Sequence, residues 1–155
     1  MVDIVSPEKR SRMMAGIRSK DTRPELIVRK GLHKKGFRYL LHTSNLPGKP
    51  DLVFPKYNAV ILIHGCFWHR HDCSLFKWPS SRRDFWKTKI NRNRERDSEN
   101  HENLRKQGWR ILTIWECALK GPNRYPHEKV LDATERWLIS GNDESELRGK
   151  EDGAR

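Results

Sequence analysis

Long apolar stretches are absent from this 155-residue sequence. No segment approaches the roughly 20 consecutive apolar residues that a membrane-spanning helix needs, and no signal peptide begins the chain. We also find no internal repeat and no low-complexity core. These absences exclude an integral membrane protein and a repeat protein, and they favour a single cytoplasmic domain.

Acidic residues are scarce relative to basic ones. The sequence has 32 Lys and Arg residues against 20 Asp and Glu residues, which gives a formal net charge of +12 and a pI near 10.0. A small protein with this charge is expected to bind a polyanion, most often a nucleic acid. The alternative is a basic surface that is simply solvated.

Cysteine is also rare, and its three positions are informative. Two of them, Cys66 and Cys73, lie in the run His-Gly-Cys-Phe-Trp-His-Arg-His-Asp-Cys of residues 64–73, and the third is Cys117. Sulfur and imidazole nitrogen are ligands that zinc prefers. The three cysteines, with His71 two residues before Cys73, therefore predict a structural zinc site. Two alternatives remain: a disulfide between Cys66 and Cys73, or three thiols that act as small buried apolar groups.

Capping signals predict the helices. The pattern Ser6-Pro7-Glu8 is typical of a helix start, and it opens a basic amino-terminal helix that would suit an arm lying along DNA. Thr22 and Glu25 fit a capping box, Gly36 fits the end of that helix, and Ser81 is the predicted cap of a long polar helix. The four predicted helices span residues 6–18, 22–36, 82–107 and 128–139.

The predicted strands span residues 37–42, 51–54, 59–63 and 110–114. Residues 55–58 form a turn that indicates a hairpin, and the uniformly apolar third run is typical of a central strand buried on both faces. The order of elements predicts an α/β fold with a mixed central sheet and helices on both faces. The polar residues 141–155 predict a flexible tail, so the domain covers residues 1–140.

Asp51 is the first candidate for catalysis. It follows Leu46-Pro47-Gly48-Lys49-Pro50, a rigid turn at the mouth of a predicted strand. A carboxylate in this position can hold a hard cation such as Mg²⁺ against phosphate oxygens. The alternative is an aspartate that only caps the turn.

These elements resemble the PD-(D/E)xK nuclease fold, in which a capped helix, a Pro-Asp strand, an apolar strand, a helix and a further strand follow one another. The usual Glu-x-Lys of the third strand is missing, and His64-Gly65-Cys66-Phe67-Trp68-His69 follows that strand instead. With its zinc ligands, the chain therefore resembles the very-short-patch repair endonucleases over about residues 6–140. The other motifs that carry the resemblance are Leu46-Pro47-Gly48-Lys49-Pro50-Asp51, Phe85-Trp86, Glu95-Arg96-Asp97 and Trp115-Glu116-Cys117.

The resemblance implies a catalytic centre in which Asp51 and the main-chain carbonyl of Ile63 bind Mg²⁺. His69 would be the general base, because an imidazole can accept a proton at neutral pH, and Asp97 would fix its tautomer. His64 would assist near the scissile phosphate, and Glu25 would support the water around the metal. The implied zinc ligands are Cys66, His71, Cys73 and Cys117. An exchange of roles between His69 and His71 is the alternative.

Aromatic residues form a second implied site. By the resemblance, Phe67, Trp68 and Trp86 wedge into the DNA at a mismatch, and Met14 enters from the opposite groove. Such wedges cost a few kcal/mol of unstacking and regain it by stacking on the bases. The alternative is that all the aromatic residues lie in the core. We expect a core position for Trp109, Trp115 and Trp137.

The long predicted helix is rich in basic residues. They are expected to neutralise phosphates, which gives affinity and salt dependence without reading the base sequence. Some of them will only be solvated. The residues are Arg82, Arg83, Lys87, Lys89, Arg92, Arg94 and Arg96.

The resemblance implies a Mg²⁺-dependent, zinc-stabilised endonuclease that nicks double-stranded DNA 5′ of the thymine in a T:G mismatch. Such mismatches arise when 5-methylcytosine deaminates, so it implies a functional link to a cytosine-5 DNA methyltransferase and contact with mismatch-repair proteins. It also implies action on the bacterial nucleoid, and we expect a monomer because nicking needs one active site. The alternatives are a defence nickase with relaxed mismatch specificity and a zinc-dependent DNA-binding module without catalysis.

Overall fold

A computed structural model describes residues 22–150 of the chain, which form a five-stranded sheet and three α-helices. The predicted helix over residues 6–18, and Met14 with it, lies outside the described residues. The helices are α1 (Arg23–Lys34), α2 (Arg83–Lys106) and α3 (His127–Ser140). The strands are β1 (Leu40–Leu41), β2 (Leu52–Phe54), β3 (Ala59–His64), β4 (Arg110–Trp115) and β5 (Glu144–Leu147).

The sheet is mixed, as the sequence predicts. Its strand order is β1-β2-β3-β4-β5, in which β1, β2 and β3 pair antiparallel and β3, β4 and β5 pair parallel. The hairpin of β2 and β3 is confirmed, with Asn58 in the left-handed region (φ 50°) after a one-turn 3-10 helix. In β3, Ala59, Val60, Ile61 and Leu62 are all buried, which confirms a strand covered on both faces.

Helices cover both faces of the sheet. Side chains alternate along a strand, so Ile61 of β3 packs in the core with Val28 of α1 and Leu138 of α3. Its neighbour Val60 packs on the other face, with Leu104 of α2. The predicted arrangement of helices on both faces of a mixed sheet is therefore confirmed.

The predicted cap of α1 by Thr22 is confirmed, and it makes one of the two bonds of a capping box. The side chain of Thr22 accepts a hydrogen bond from the backbone N–H of Glu25 at 3.4 Å, and Pro24 lies in the first turn. Gly36 follows the helix with a φ of +100°, a conformation that glycine adopts without a steric cost. The bond from Thr22 fixes the first turn of α1, and this turn carries Glu25 next to the cleft described below.

Two predicted details are wrong. Ser81 does not cap α2: Arg82 is the residue before the helix, at φ 53°, and makes no side-chain capping bond. The strand predicted over residues 37–42 shrinks to the two residues of β1, because His42 takes a left-handed φ of 47° that ends the extended run. Phe37 packs in the core instead, with its ring against that of Phe54.

The predicted flexible tail of residues 141–155 is corrected as well. Residues 144–147 form β5, which pairs in parallel with β4. The four residues Glu-Ser-Glu-Leu carry almost no apolar signal, because β5 is an edge strand and two of its side chains face polar partners. Residues 151–155 lie outside the described part of the chain. Within residues 22–150, no helix is both long and apolar enough to cross a bilayer.

Candidate active site and metal centre

An open cleft of about 520 Å³ lies where β2 begins and β3 ends. Because β2 runs antiparallel to β3, the first residues of one strand lie beside the last residues of the other. The cleft brings together five residues that the sequence analysis singled out for catalysis: Asp51, Ile63, His64, His69 and Asp97.

Asp51 lies just before β2 and is only 9% exposed. Its Oδ2 accepts a hydrogen bond from the backbone N–H of Ile63 at 2.7 Å, which ties the start of β2 to the end of β3. Burial raises the pKa of Asp51 to about 8 against the lowering effect of this bond, and the charge of Glu25 adds to the rise. A buried carboxylate with a raised pKa in a cleft is typical of a functional site, and a divalent cation would stabilise its ionised form.

Glu25 and His42 extend this carboxylate site. Glu25 is 1% exposed, and its Oε2 contacts Nη1 of Arg29 at 2.9 Å and Nε2 of His42 at 3.0 Å. The other ring nitrogen of His42, Nδ1, lies 4.0 Å from Oδ1 of Asp51. The sequence analysis missed His42, because nothing near it in the chain distinguishes it from the other histidines. One oxygen or nitrogen from each of Glu25, His42 and Asp51 lies within 4.8 Å of the others, so these residues could hold a cation.

His69 and Asp97 form the tightest polar contact of the cleft. Nδ1 of His69 lies 2.5 Å from Oδ2 of Asp97, so the predicted hydrogen bond between them is present. Asn93 lies one helical turn before Asp97 on the same face of α2, and its Nδ2 donates to the carbonyl of Trp68 at 3.2 Å. This face of α2 therefore holds the loop that carries His69.

His64 stacks on His69 with the ring centroids 3.8 Å apart and the planes parallel to within 1°. Burial lowers the pKa of His64 well below its usual range, and the neighbouring imidazoles of His69, His101 and His71 lower it further. His64 is therefore neutral at physiological pH, and the stacked pair avoids facing two positive rings. His101, which the sequence analysis did not single out, also lines the cleft and lies 3.2 Å through Nδ1 from Glu144 of β5.

The four predicted zinc ligands lie together. One sulfur or nitrogen from each of Cys66, His71, Cys73 and Cys117 lies within 4.8 Å of the others. Nδ1 of His71 is 3.5 Å from the sulfurs of both Cys66 and Cys117. Zinc bonds of about 2.3 Å to sulfur and 2.1 Å to nitrogen place tetrahedral neighbours about 3.5 Å apart, so this geometry fits zinc. The three thiols are free, and none is in a disulfide.

One thiol of the cluster, that of Cys117, is favoured in its negatively charged form. A hydrogen bond with Cys66 lowers the pKa of Cys117 to about 4, although burial opposes the shift. The same bond raises the pKa of Cys66. The backbone N–H of Gly149 also donates to Sγ of Cys117 at 3.3 Å, which brings the segment after β5 against the cluster. An added Cβ at Gly149 would lie 2.4 Å from the carbonyl oxygen of Cys117, so only glycine fits there.

The loop of residues 64–73 joins the cluster to the cleft. His69 points to Asp97 and His71 to the sulfurs, which argues against an exchange of their roles. The ring of Trp115, at the end of β4, stacks on His71 at 3.8 Å and meets the edge of His64 at 5.2 Å. The expectation of a core position for Trp115 is therefore wrong, whereas Trp137 is buried and Trp109 packs partly buried beside the core.

Phe67, Trp68 and Trp86 form a compact aromatic cluster. The ring centroid of Phe67 lies 5.2 Å from Trp68 and 5.5 Å from Trp86, and those of Trp68 and Trp86 are 5.8 Å apart. All three side chains are partly exposed. They form a platform next to the cleft, where bases could stack. The basic residues that follow Ser81 on α2 are exposed, namely Arg82, Arg83, Lys87, Lys89, Arg92, Arg94 and Arg96.

Comparison with known proteins gives a consistent picture. The family model described as DNA mismatch endonuclease Vsr matches residues 2–75. The type II nicking enzyme V.XorIIP of Xanthomonas oryzae pv. oryzae (strain KACC10331 / KXO85) is 48% identical over 119 residues, which covers 77% of this chain and 88% of the relative. The DNA mismatch endonuclease Vsr of Escherichia coli (strain K12) is 40% identical over 138 residues, or 89% and 88% of the two chains. The type II nicking enzyme V.NmeAIP of Neisseria meningitidis (serogroup A, strain DSM 15465 / Z2491) is 48% identical over 120 residues, or 77% and 86%.

Proposed function

Because this chain belongs to the DNA mismatch endonuclease Vsr family, we propose that it nicks one strand of double-stranded DNA at T:G mismatches. It would hydrolyse the phosphodiester 5′ of the thymine and so begin very short patch repair. The observation that carries this proposal is the cleft itself, in which the His69–Asp97 pair lies with the buried carboxylate of Asp51. The PD-(D/E)xK class is the proposed class of the fold, with Asp51 as the Pro-Asp aspartate.

Mg²⁺ is the proposed catalytic ion. Asp51 and the main-chain carbonyl of Ile63 would hold it, and Glu25 would support its water. Both ligands are oxygens at the edge of the sheet, as a hard cation prefers. When bound, the ion supplies Lewis-acid stabilisation of the charge that develops on the phosphate.

His69 is the proposed general base. Because its Nδ1 is taken up by Asp97, its Nε2 is left to accept a proton from the attacking water. The neutral imidazole of His64, which stacks on His69, would contact the scissile phosphate. The carboxylate of Asp97 therefore orients the imidazole of His69, whereas stacking orients that of His64.

Zinc is the proposed structural ion, bound by Cys66, His71, Cys73 and Cys117. His69 lies between two of these ligands in the chain, so the ion would clamp the loop that carries the base. A catalytic group must be held to within about 0.5 Å of its productive position, which a free surface loop does not achieve. Four protein ligands also close the coordination sphere, as in structural zinc sites.

Phe67, Trp68 and Trp86 are the proposed mismatch wedge. Their exposed cluster stands beside the cleft, so an opened base step and the scissile phosphate could be reached together. Met14 would complete the wedge from the opposite groove. The exposed basic face of α2 would neutralise phosphates, and a cytosine-5 DNA methyltransferase and mismatch-repair proteins are the proposed partners.

A nicking assay tests the function. End-labelled duplexes with a central T:G, C:G or T:A pair are incubated with Mg²⁺ and wild-type protein or Asp51→Ala. We expect a single nick 5′ of the thymine in the T:G duplex, and none with Asp51→Ala. Equal cleavage of all three duplexes would favour a nickase without mismatch specificity, a second candidate that the names of the nicking relatives support. Binding without cleavage, over several flanking sequences, would contradict both.

A further inference from the structure

The cation site at Asp51 contains an imidazole that the proposed mechanism does not use. We propose that His42 binds the catalytic cation directly through Nδ1, beside Asp51, and that the resulting nitrogen–oxygen site prefers Mn²⁺ to Mg²⁺. The inference rests on the proposed function, because it concerns the ion of that same cleft.

The backbone at His42 is the first observation. This residue has a φ of 47°, in the left-handed region that residues other than Gly, Asn, Asp and His rarely adopt. Its N–H donates to the carbonyl of Asp51 at 3.2 Å, so the strained residue and the aspartate are held side by side. Non-glycine residues held in this conformation cluster at functional sites.

The contacts of the ring are the second observation. Nε2 of His42 lies 3.0 Å from the carboxylate of Glu25, which Arg29 holds from the other side. Histidines that bind metals through one ring nitrogen commonly place the other against a carboxylate, which fixes the ring and raises its basicity. Glu25 is 1% exposed, whereas His42 and Asp51 line the cleft. Glu25 therefore orients the ring, and His42 is the residue that can reach a cation.

The spacing of the donors is the third observation. Nδ1 of His42 is 4.0 Å from Oδ1 of Asp51. Two donors that each lie roughly 2.1 Å from one cation are at most roughly 4.2 Å apart. The distance between these two atoms therefore allows one small divalent cation to bind both of them.

The kind of donor determines the preferred ion. Mg²⁺ binds oxygen ligands and keeps its waters, whereas an imidazole favours the first-row transition metals, of which Mn²⁺ also accepts carboxylates. His42→Gln replaces the nitrogen by an amide oxygen, which suits Mg²⁺. The substitution should therefore weaken Mn²⁺ binding far more than Mg²⁺ binding.

Manganese itself is the probe. Zinc-loaded protein bound to a pre-nicked T:G duplex is titrated with Mn²⁺, and bound ion is measured by electron paramagnetic resonance, with Mg²⁺ as a competitor. In the wild type we expect tighter binding of Mn²⁺ than of Mg²⁺ and a ¹⁴N coupling to the bound Mn²⁺ in pulsed spectra. His42→Gln should remove that coupling and weaken Mn²⁺ binding at least about tenfold, since the loss of a group that only orients a ligand already costs 10–100-fold.

His33→Gln is the matched control, because His33 is an exposed histidine on α1 outside the cleft. It should behave as the wild type, and the melting temperature and zinc content of both variants show whether they fold. An unchanged ¹⁴N coupling and Mn²⁺ affinity in folded His42→Gln would overturn the inference. So would equal weakening of both ions without any ¹⁴N coupling in the wild type, since His42 would then act only through Glu25.

Failure of this inference is separable from failure of the proposed function. If the wild type nicks the T:G duplex with Mg²⁺ while His42→Gln leaves Mn²⁺ binding unchanged, only the role of His42 is lost. If the wild type nicks no duplex with either ion, the proposed function is lost as well.

Discussion

Among the groups within residues 22–150 that could hold a cation, two differ most clearly in donors and in access. The cluster of Cys66, His71, Cys73 and Cys117 has three sulfurs among its four donors, and three of its four residues are buried. The cluster of Glu25, His42 and Asp51 is made of carboxylates and one imidazole, and it opens into the cleft. A closed sulfur-rich site can stabilise a loop, whereas an open oxygen-rich site can also take a phosphate and a water.

The difference between the two clusters is tested most directly by removing one donor from each. Asp51→Asn should lower the nicking rate by a factor of about 10³ or more, because several kcal/mol of charge stabilisation are lost. It should leave the zinc content unchanged. Cys117→Ser should release zinc and lower the melting temperature, because zinc binding contributes folding free energy directly. Zinc content by atomic absorption, thermal melting and single-turnover nicking measure all three effects.

The control for this pair is Ser140→Ala, a substitution at an exposed position of α3 that belongs to neither cluster and does not line the cleft. It should match the wild type in zinc content and melting temperature. Loss of zinc in Asp51→Asn, or a Cys117→Ser variant that keeps zinc and full activity, would show that the two clusters do not divide the work in this way.

A substitution of Asp97 tests the contact that holds His69, the cleft residue on the loop between the cysteine cluster and the cleft. Asp97→Asn keeps the shape of the side chain but removes the charge that orients His69, so we expect a loss of about 10–100-fold in the nicking rate, the usual cost of losing such a partner. DNA binding should remain within about twofold. Single-turnover rates at saturating enzyme and binding by fluorescence anisotropy separate the two. A variant that loses binding rather than rate would place Asp97 on the DNA contact instead.

How far the sequence predicts this site depends on how local the signal is. The cluster of three cysteines and one histidine was predictable because Cys66, His71 and Cys73 lie within eight residues and only one other cysteine exists. Asp51 was a candidate from its position at the start of a strand, but the roles proposed for Asp51 and His69 come from the family resemblance, since Pro-Asp pairs and histidines are common. His42, His101 and Glu144 were missed because their partners come from other elements, and their significance depends on the tertiary fold.

The fold shows the same limit. The central strand β3 was predicted because its apolar residues are consecutive in the chain, and the helix α1 because its capping residues lie close to it in the sequence. The edge strand β5 was missed because Glu144 and Glu146 bind Arg105 and Trp115, so that polar residues occupy the positions where an apolar signal is expected. Ser81 was misassigned because a capping residue cannot be told from a neighbouring serine that makes no cap.

The aromatic platform gives a smaller expected effect. Trp86→Ala should weaken binding of a T:G duplex by about 1–3 kcal/mol, the usual contribution of one stacked base, and should weaken binding of a matched duplex less. Ile139→Ala is the control, because Ile139 is an exposed apolar residue on another helix, α3, outside the aromatic cluster. Anisotropy titrations with both duplexes and both variants measure the difference. Equal weakening of both duplexes by Trp86→Ala would assign the tryptophan to general DNA binding.

The last expected effect is a stability difference that depends on pH and separates the open cluster from the closed one. The folded-state pKa of Asp51 is about 8, against about 3.9 in an unfolded chain. Folded protein therefore keeps a proton that the unfolded chain releases. The favourable contribution of this proton is complete below about pH 4 and is lost as the pH rises through 8, at up to about 1.4 kcal/mol per pH unit.

Asn cannot ionise, so Asp51→Asn removes this dependence. Without divalent cation, the free energy of unfolding of Asp51→Asn should rise relative to the wild type between pH 5 and pH 8 and then level off. Added Mg²⁺ or Mn²⁺ should reverse the order by stabilising the ionised wild type alone, in proportion to the concentration of free ion over its dissociation constant. Urea unfolding of the zinc-loaded proteins across this pH range measures both effects. Parallel curves for the two proteins would mean that Asp51 is ionised at neutral pH without a cation, and that burial does not make it depend on one.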